Sequence, residues 1–177
     1  MIPFHIPTLA AACAASFLML SGQAPAHDYE IGSLEIDHPW SRATPAGAGV
    51  GAGYMVIRNT GSQADRLIAG DTTIAGRVEI HEMAVTDGVM TMRPIEGGLE
   101  IPAGGEVTLE PGGYHVMFMD LQEQIVEGEM FSAELVFETA GSIEVAFAVE
   151  GIGARAPADG HDHMDHGEHE EHGETAN

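Results

Sequence analysis

Residues 78–95 read VEIHEMAVTDGVMTMRPI. Two runs of alternating character flank Asp87-Gly88, a dipeptide that favours the two-residue turn of a β-hairpin because both of its residues tolerate positive φ. With those two residues as the loop, Thr86 faces Val89, Val85 faces Met90 and Met83 faces Met92. Opposed residues share a face and successive side chains alternate. His81, Met83, Met90 and Met92 therefore come out on one side, and Ile80 and Ile95 pair on the other, where a core would hold them. A three-residue loop would break this register.

A second stretch repeats the pattern. Residues 112–120, GGYHVMFMD, follow a Pro-Gly-Gly turn and alternate as a strand. Tyr114, Val116 and Phe118 share the face that reads as core, while His115, Met117 and Met119 share the other. Two separate segments thus each present histidine and methionine together on a face that is not the main core.

Working outward, the chain from Tyr29 to Glu150 is a succession of short β-like runs broken by Gly, Pro, Asn and Asp, without a long segment of helical period. The expected strands are Leu34–Asp37, Gly53–Asn59, Arg66–Gly70, Val78–Val85, Val89–Ile95, Glu106–Leu109, Tyr114–Asp120, Met130–Glu138 and Ile143–Val149. Such spacing predicts an all-β antiparallel sandwich or Greek-key barrel. His38 and Trp40, in the run Ile36–Trp40, read as structural and core residues.

The two ends differ from this middle. Leu9–Leu20 is an apolar run too short to span a bilayer, followed by Ala24-Pro25-Ala26, which together read as a secretory signal cleaved after Ala26. Lipid attachment at Cys13 would cut that apolar run in half. Cleavage leaves a mature chain beginning near His27 without cysteine, hence without a disulfide or thiolate ligand. His27 at a new amino terminus would offer amine and imidazole together to Cu(II). From Ala158 onward seven carboxylates face no Lys or Arg, and apolar residues are nearly absent. That composition cannot offset the entropy of ordering, so a disordered tail is expected. The organisation read from sequence is a signal peptide over 1–26, one β-domain over 27–152 and a disordered His- and acid-rich metal-binding tail over 153–177.

The formal charge of −22, from 6 Lys+Arg against 28 Asp+Glu, argues against nucleic acid and anionic membrane surfaces as partners. No nucleophile context, phosphate-cradling loop or carboxylate pair in an apolar pocket is present, so the reading is of a binding protein and not an enzyme. The informative chemistry is the His/Met combination. Thioether sulfur is a soft neutral ligand suited to Cu(I), imidazole suits several transition metals, and the two together without thiolate or carboxylate favour monovalent copper over zinc. A blue-copper electron carrier would need a cysteine ligand, which the mature chain lacks. The tail holds His161, His163, His166, His169 and His172 with Met164 among carboxylates, a harder donor set that suits Cu(II), or Zn(II) or Ni(II).

The segment Val78–Leu121 resembles the periplasmic copper chaperone family written PCuAC, which carries a His, a Met eleven positions later and a His-x-Met pair about two dozen residues on. Here those positions are His81, Met92, His115 and Met117, set in VEIHEM, GVMTMRPIEGGLEIPAGGEV and LEPGGYHVMFM. The resemblance spans roughly residues 30 to 150, with one residue of difference in the loop between Met92 and His115. It implies a cupredoxin-like β-sandwich that binds one Cu(I) through those four side chains and delivers it to the CuA centre of the cytochrome c oxidase subunit, alongside thioredoxin-like Sco chaperones. Met83, Met90 and Met119 are then candidates for supporting contacts, with packing as their alternative role. A periplasmic monomer that does not insert in the membrane after signal cleavage is expected. The competing readings are a copper-sequestering tolerance protein without a dedicated recipient, and a structural β-sandwich whose methionine row is packing.

Overall fold

The structure, a computed structural model, describes residues 29–86 and 88–158. The segment read as a signal peptide and the His-rich run from His161 lie outside the described residues. Eleven strands account for the regular structure among them: β1 (Tyr29–Ile31), β2 (Leu34–Arg42), β3 (Val50–Asn59), β4 (Asp65–Asp71), β5 (Ala75–Thr86), β6 (Val89–Pro94), β7 (Leu99–Ile101), β8 (Glu106–Leu109), β9 (Tyr114–Leu121), β10 (Met130–Phe137) and β11 (Gly141–Glu150). No helix among the described residues is long and apolar enough to cross a membrane.

The strands form one hydrogen-bonded ribbon in the order β6-β5-β9-β8-β3-β2-β11-β10-β4-β7, with β9 also pairing β3 and β1 pairing β2. Most pairings are antiparallel, as expected, but β2 with β11 and β8 with β9 run parallel, so the sheet is mixed. The ribbon folds over a shared core. Phe118 of β9 meets Phe131 of β10 and Phe147 of β11 edge-on at 5.1 and 5.5 Å, while Phe131 and Phe147 stack at 5.3 Å. Edge-on and offset arrangements satisfy the ring quadrupoles and add to simple area burial. Leu34, Ile36, Met55, Ile57, Leu67 and Val116 complete the inner layer.

Close approach of the two layers explains one glycine. A Cβ on Gly53 of β3 would lie 2.7 Å from a ring carbon of Phe147 and 2.9 Å from one of Phe118. Only a residue without a side chain lets the aromatic cluster seat against the β3 backbone.

The hairpin that opens the sequence reading has the register derived from its turn. Met83 pairs with Met92, Val85 with Met90 and Thr86 with Val89. Gly88 adopts the left-handed φ of 78° that a two-residue turn demands. Ile80 is 6% exposed in the core, and the Ile95 amide donates to its carbonyl at 2.8 Å.

Other boundaries moved for physical reasons. β2 runs on past the expected end at Asp37 through His38-Pro39-Trp40-Ser41-Arg42. The ladder to β3 shifts register between Asp37 and Trp40, and His38 takes a φ of 48°, so Pro39 is housed in an irregularity where no ladder hydrogen bond is required of it. Beyond β11 the chain folds back on β2: Arg42 Nε donates to the Ala154 carbonyl at 2.6 Å, and the Ala158 amide donates to Glu150 at 3.1 Å.

Candidate metal site

Three adjacent strands build the site. His81 on β5 lies directly opposite His115 on β9, and on its other side opposite Pro94 on β6. Met117 is two residues from His115, opposite Glu79, and Met92 is two residues from Pro94, opposite Met83. Alternation therefore puts His81, His115, Met117, Met92 and Met83 on one face, with each methionine diagonal to a histidine across a ladder. Diagonal neighbours are about 7–8 Å apart at the backbone, within reach of long side chains. Met90 lies farther along the hairpin, and Met119 lies farther along β9, opposite Arg77.

This face is not the half-solvated surface that the alternation alone suggested. His81, His115 and Met117 are 8%, 3% and 7% exposed. The cause is position: β9 is an interior strand, with β5 along one edge and β3 along the other. On the β3 side Ala52 pairs with Met117, and Tyr54, two residues on, shares that face. Tyr54 packs against Trp40 with ring centroids 4.6 Å apart, both buried and both outside the main core cluster. Burial holds the Tyr54 hydroxyl above its ordinary pKa, partly offset by the nearby Arg42 guanidinium. Trp40 is thus buried as expected, but on the site face of the sheet. The β6 side is open: Met92 and Met90 are 48% and 65% exposed, with Val85 and Val89 exposed beside them. The row is buried at the histidines and emerges along the hairpin.

Each histidine is fixed by a hydrogen bond that decides which nitrogen is free. His115 Nδ1 lies 3.0 Å from the Gly113 carbonyl, which can only accept, so Nδ1 carries the hydrogen and Nε2 keeps its lone pair. His81 Nε2 lies 2.7 Å from Glu79 Oε2, so Nε2 donates, and in the neutral ring Nδ1 keeps the lone pair. That Nδ1 is the one buried side-chain polar atom without a partner among the described residues. Buried polar atoms without partners are rare in native structures and call for a specific reason.

The two rings are 5.9 Å apart between centroids and inclined at 55°. A metal about 2.0–2.1 Å from a ring nitrogen sits roughly 3 Å from that ring's centre, so one ion fits between rings at this separation. Burial lowers the pKa of His115, with the charge of His81 acting the same way and the Gly113 hydrogen bond opposing both. A neutral imidazole at neutral pH is the form that binds metal. Among the described residues no group of three or more His, Cys, Asp and Glu side chains converges on a point. What the register places on one face is two imidazoles with thioethers beside them, a soft donor set whose chemistry suits a monovalent ion such as Cu(I).

Sequence reasoning missed Glu79. Its hydrogen bond to His81, with the charges of Arg77 and His81 adding to it and partial desolvation opposing, holds its carboxyl below the usual range. Alternation places Glu79 on the face of His81, two residues before it, but the hydrogen bond that joins the two side chains is visible only in the folded strand.

The all-β fold is that of PCuAC domains. The chain belongs to the family described as "Putative lipoprotein LpqE-like", which it matches over residues 34–149. Relatives agree in sequence and in fold. "Putative lipoprotein Lxx21020" of Leifsonia xyli subsp. xyli is 30% identical over 133 residues, covering 75% of this chain and 78% of that protein. The copper-bound PCuAC domain from PmoF2 superposes with a TM-score of 0.61 at 31% identity, covering 71% of this chain and 98% of that domain. The Cu(I) form of DR1885 from Deinococcus radiodurans superposes at 0.52 with 26% identity, covering 73% of this chain and 85% of that one.

Proposed function

We propose that the protein is an exported copper chaperone that binds one Cu(I) through His81, Met92, His115 and Met117 and passes it to the CuA centre of cytochrome c oxidase, with Sco-like thioredoxin-fold proteins as further partners. One observation carries the ligand reading: His81 and His115 stand opposite each other, each with one nitrogen hydrogen-bonded and the other left as a lone pair, beside thioethers on the same face. The copper-bound PmoF2 domain and the Cu(I) form of DR1885 support the choice of metal.

The gradient of exposure suits a carrier. His81, His115 and Met117 hold the ion in a buried, low-dielectric setting, whereas Met92 lies on the exposed hairpin where an acceptor's ligand can replace it. Met83, Met90 and Met119 support the site from outside the ligand set. The tail histidines His161, His163, His166, His169 and His172, with Met164, gather Cu(II) and raise its concentration near the domain through a tether.

Export is supported by the amino-terminal segment and by the lipoprotein names of the family and its relative. The expected site is the periplasm, as a soluble mature chain cleaved after Ala26. The family description brings forward the alternative of a lipid anchor at Cys13, which the intact mass of the mature protein decides. The test of function is transfer: the Cu(I)-loaded protein should metallate an apo CuA domain, and the His115→Ala variant should not. A protein that holds Cu(I) yet never yields it would instead be a periplasmic copper-sequestering protein.

A further inference from the structure

The unpartnered Nδ1 of His81 has a structural cause on the same strand. Arg77, Glu79, His81 and Met83 alternate along one face of β5. Glu79 uses its two oxygens differently: Oε1 accepts from Arg77 at 2.9 Å, and Oε2 accepts from His81 Nε2 at 2.7 Å. Arg77 is itself held by Asp120, at the end of β9, at 3.3 Å. The carboxylate is pinned from one side and faces the imidazole from the other.

A carboxylate cannot donate, so a neutral His81 beside it must carry its hydrogen on Nε2. Without that acceptor the imidazole would be free to place its hydrogen on either nitrogen, and an Nδ1–H form has no lone pair left on Nδ1. From this geometry we infer that Glu79 is a positioning residue: it fixes His81 as the Nε2–H tautomer and thereby presents Nδ1 to a soft metal ion. The assignment rests on the reading of His81 as a ligand. An outer partner of this kind orients the ring and raises its basicity as a ligand, and its loss typically costs about 10–100-fold in metal affinity. Nothing in the arrangement requires Glu79 to touch the metal.

The test needs a readout that does not depend on copper. Long-range proton–nitrogen correlation spectra of the metal-free, full mature protein report the His81 tautomer directly. Wild type should show Nε2 protonated and Nδ1 unprotonated. Glu79→Gln, which keeps a carbonyl oxygen to accept from Nε2–H, should preserve that pattern, whereas Glu79→Leu should lose it. Backbone spectra of both variants establish that they fold. On titration with Cu(I) against a competing chelator, wild type should shift the Nδ1 resonance, Glu79→Gln should retain most of the affinity, and Glu79→Leu should lose about 10–100-fold. A folded Glu79→Leu protein with wild-type tautomer and affinity overturns the inference alone. An Nδ1–H tautomer in metal-free wild type overturns it as well. Failure of wild type to bind Cu(I) overturns the functional reading instead, and with it the ligand role that Glu79 would serve.

Discussion

Replacing each of the two proposed methionine ligands by leucine separates coordination from packing, because the structure gives the two residues opposite surroundings. Met117 is 7% exposed between Ala52 and Glu79 on an interior strand, whereas Met92 is 48% exposed on the outermost strand of the sheet. Leucine nearly conserves volume and removes sulfur. In a buried position such an exchange usually costs under about 1.5 kcal/mol. At an exposed position the change in stability should lie within about 0.5 kcal/mol. If both thioethers bind the ion, each substitution should weaken Cu(I) binding at least as much as losing an outer-shell partner does, roughly 10–100-fold. By the factor of ten per 1.4 kcal/mol, that floor is about 1.4–2.8 kcal/mol. Met92→Leu should therefore lose more in affinity than it loses in stability. Urea unfolding of the metal-free proteins and Cu(I) competition against a chromogenic chelator measure the two quantities. A Met92→Leu protein with wild-type Cu(I) affinity would refute the ligand assignment, and a Met117→Leu protein with wild-type affinity would reduce that residue to packing.

Further outcomes follow from the same structure. Burial lowers the His115 pKa, so between the unfolded value near 6.5 and the lower folded value the unfolded chain binds a proton that the native state does not. The metal-free domain should lose stability as pH falls through that window and level off below it for this group, and His115→Ala should remove that component from urea midpoints measured across pH. Gly53→Ala drives a Cβ to 2.7 Å from Phe147 and 2.9 Å from Phe118, and should cost about 1–3 kcal/mol in thermal or urea unfolding. Ending the chain after Ala158 should abolish weak Cu(II) and Zn(II) binding seen by calorimetry while leaving Cu(I) affinity unchanged. Loss of Cu(I) binding in that truncation would contradict the division between domain and tail.

How far the fold was legible depended on local signals. The β5–β6 hairpin could be registered residue by residue because Asp87-Gly88 fixes the turn length, and a period of two then assigns every face. The third strand of the site, β9, was found by its own alternation. β1 and β7 escaped because each has three residues, too few to display a period, and both are defined by pairing with β2 and β4. The second half of β2 escaped because Pro39 speaks against a strand unless the register slip that shelters it is known. The shared face of the proposed ligands was readable, but their depth was not. His115 is buried on β9 with β3 and β5 flanking it, and His81 lies opposite it on β5, a long-range arrangement that no window of sequence displays. Glu79 was likewise invisible as a partner of His81, since a glutamate two residues away on a strand ordinarily meets water.

In the proposed site one Cu(I) sits among two imidazoles and two thioethers. X-ray absorption at the copper edge, on mature protein loaded with one equivalent of Cu(I), tests it most directly. The spectrum should show a monovalent edge and a shell of two nitrogen and two sulfur scatterers, falling to one sulfur in Met92→Leu and in Met117→Leu. A shell of nitrogen and oxygen alone, unchanged by either substitution, would contradict it.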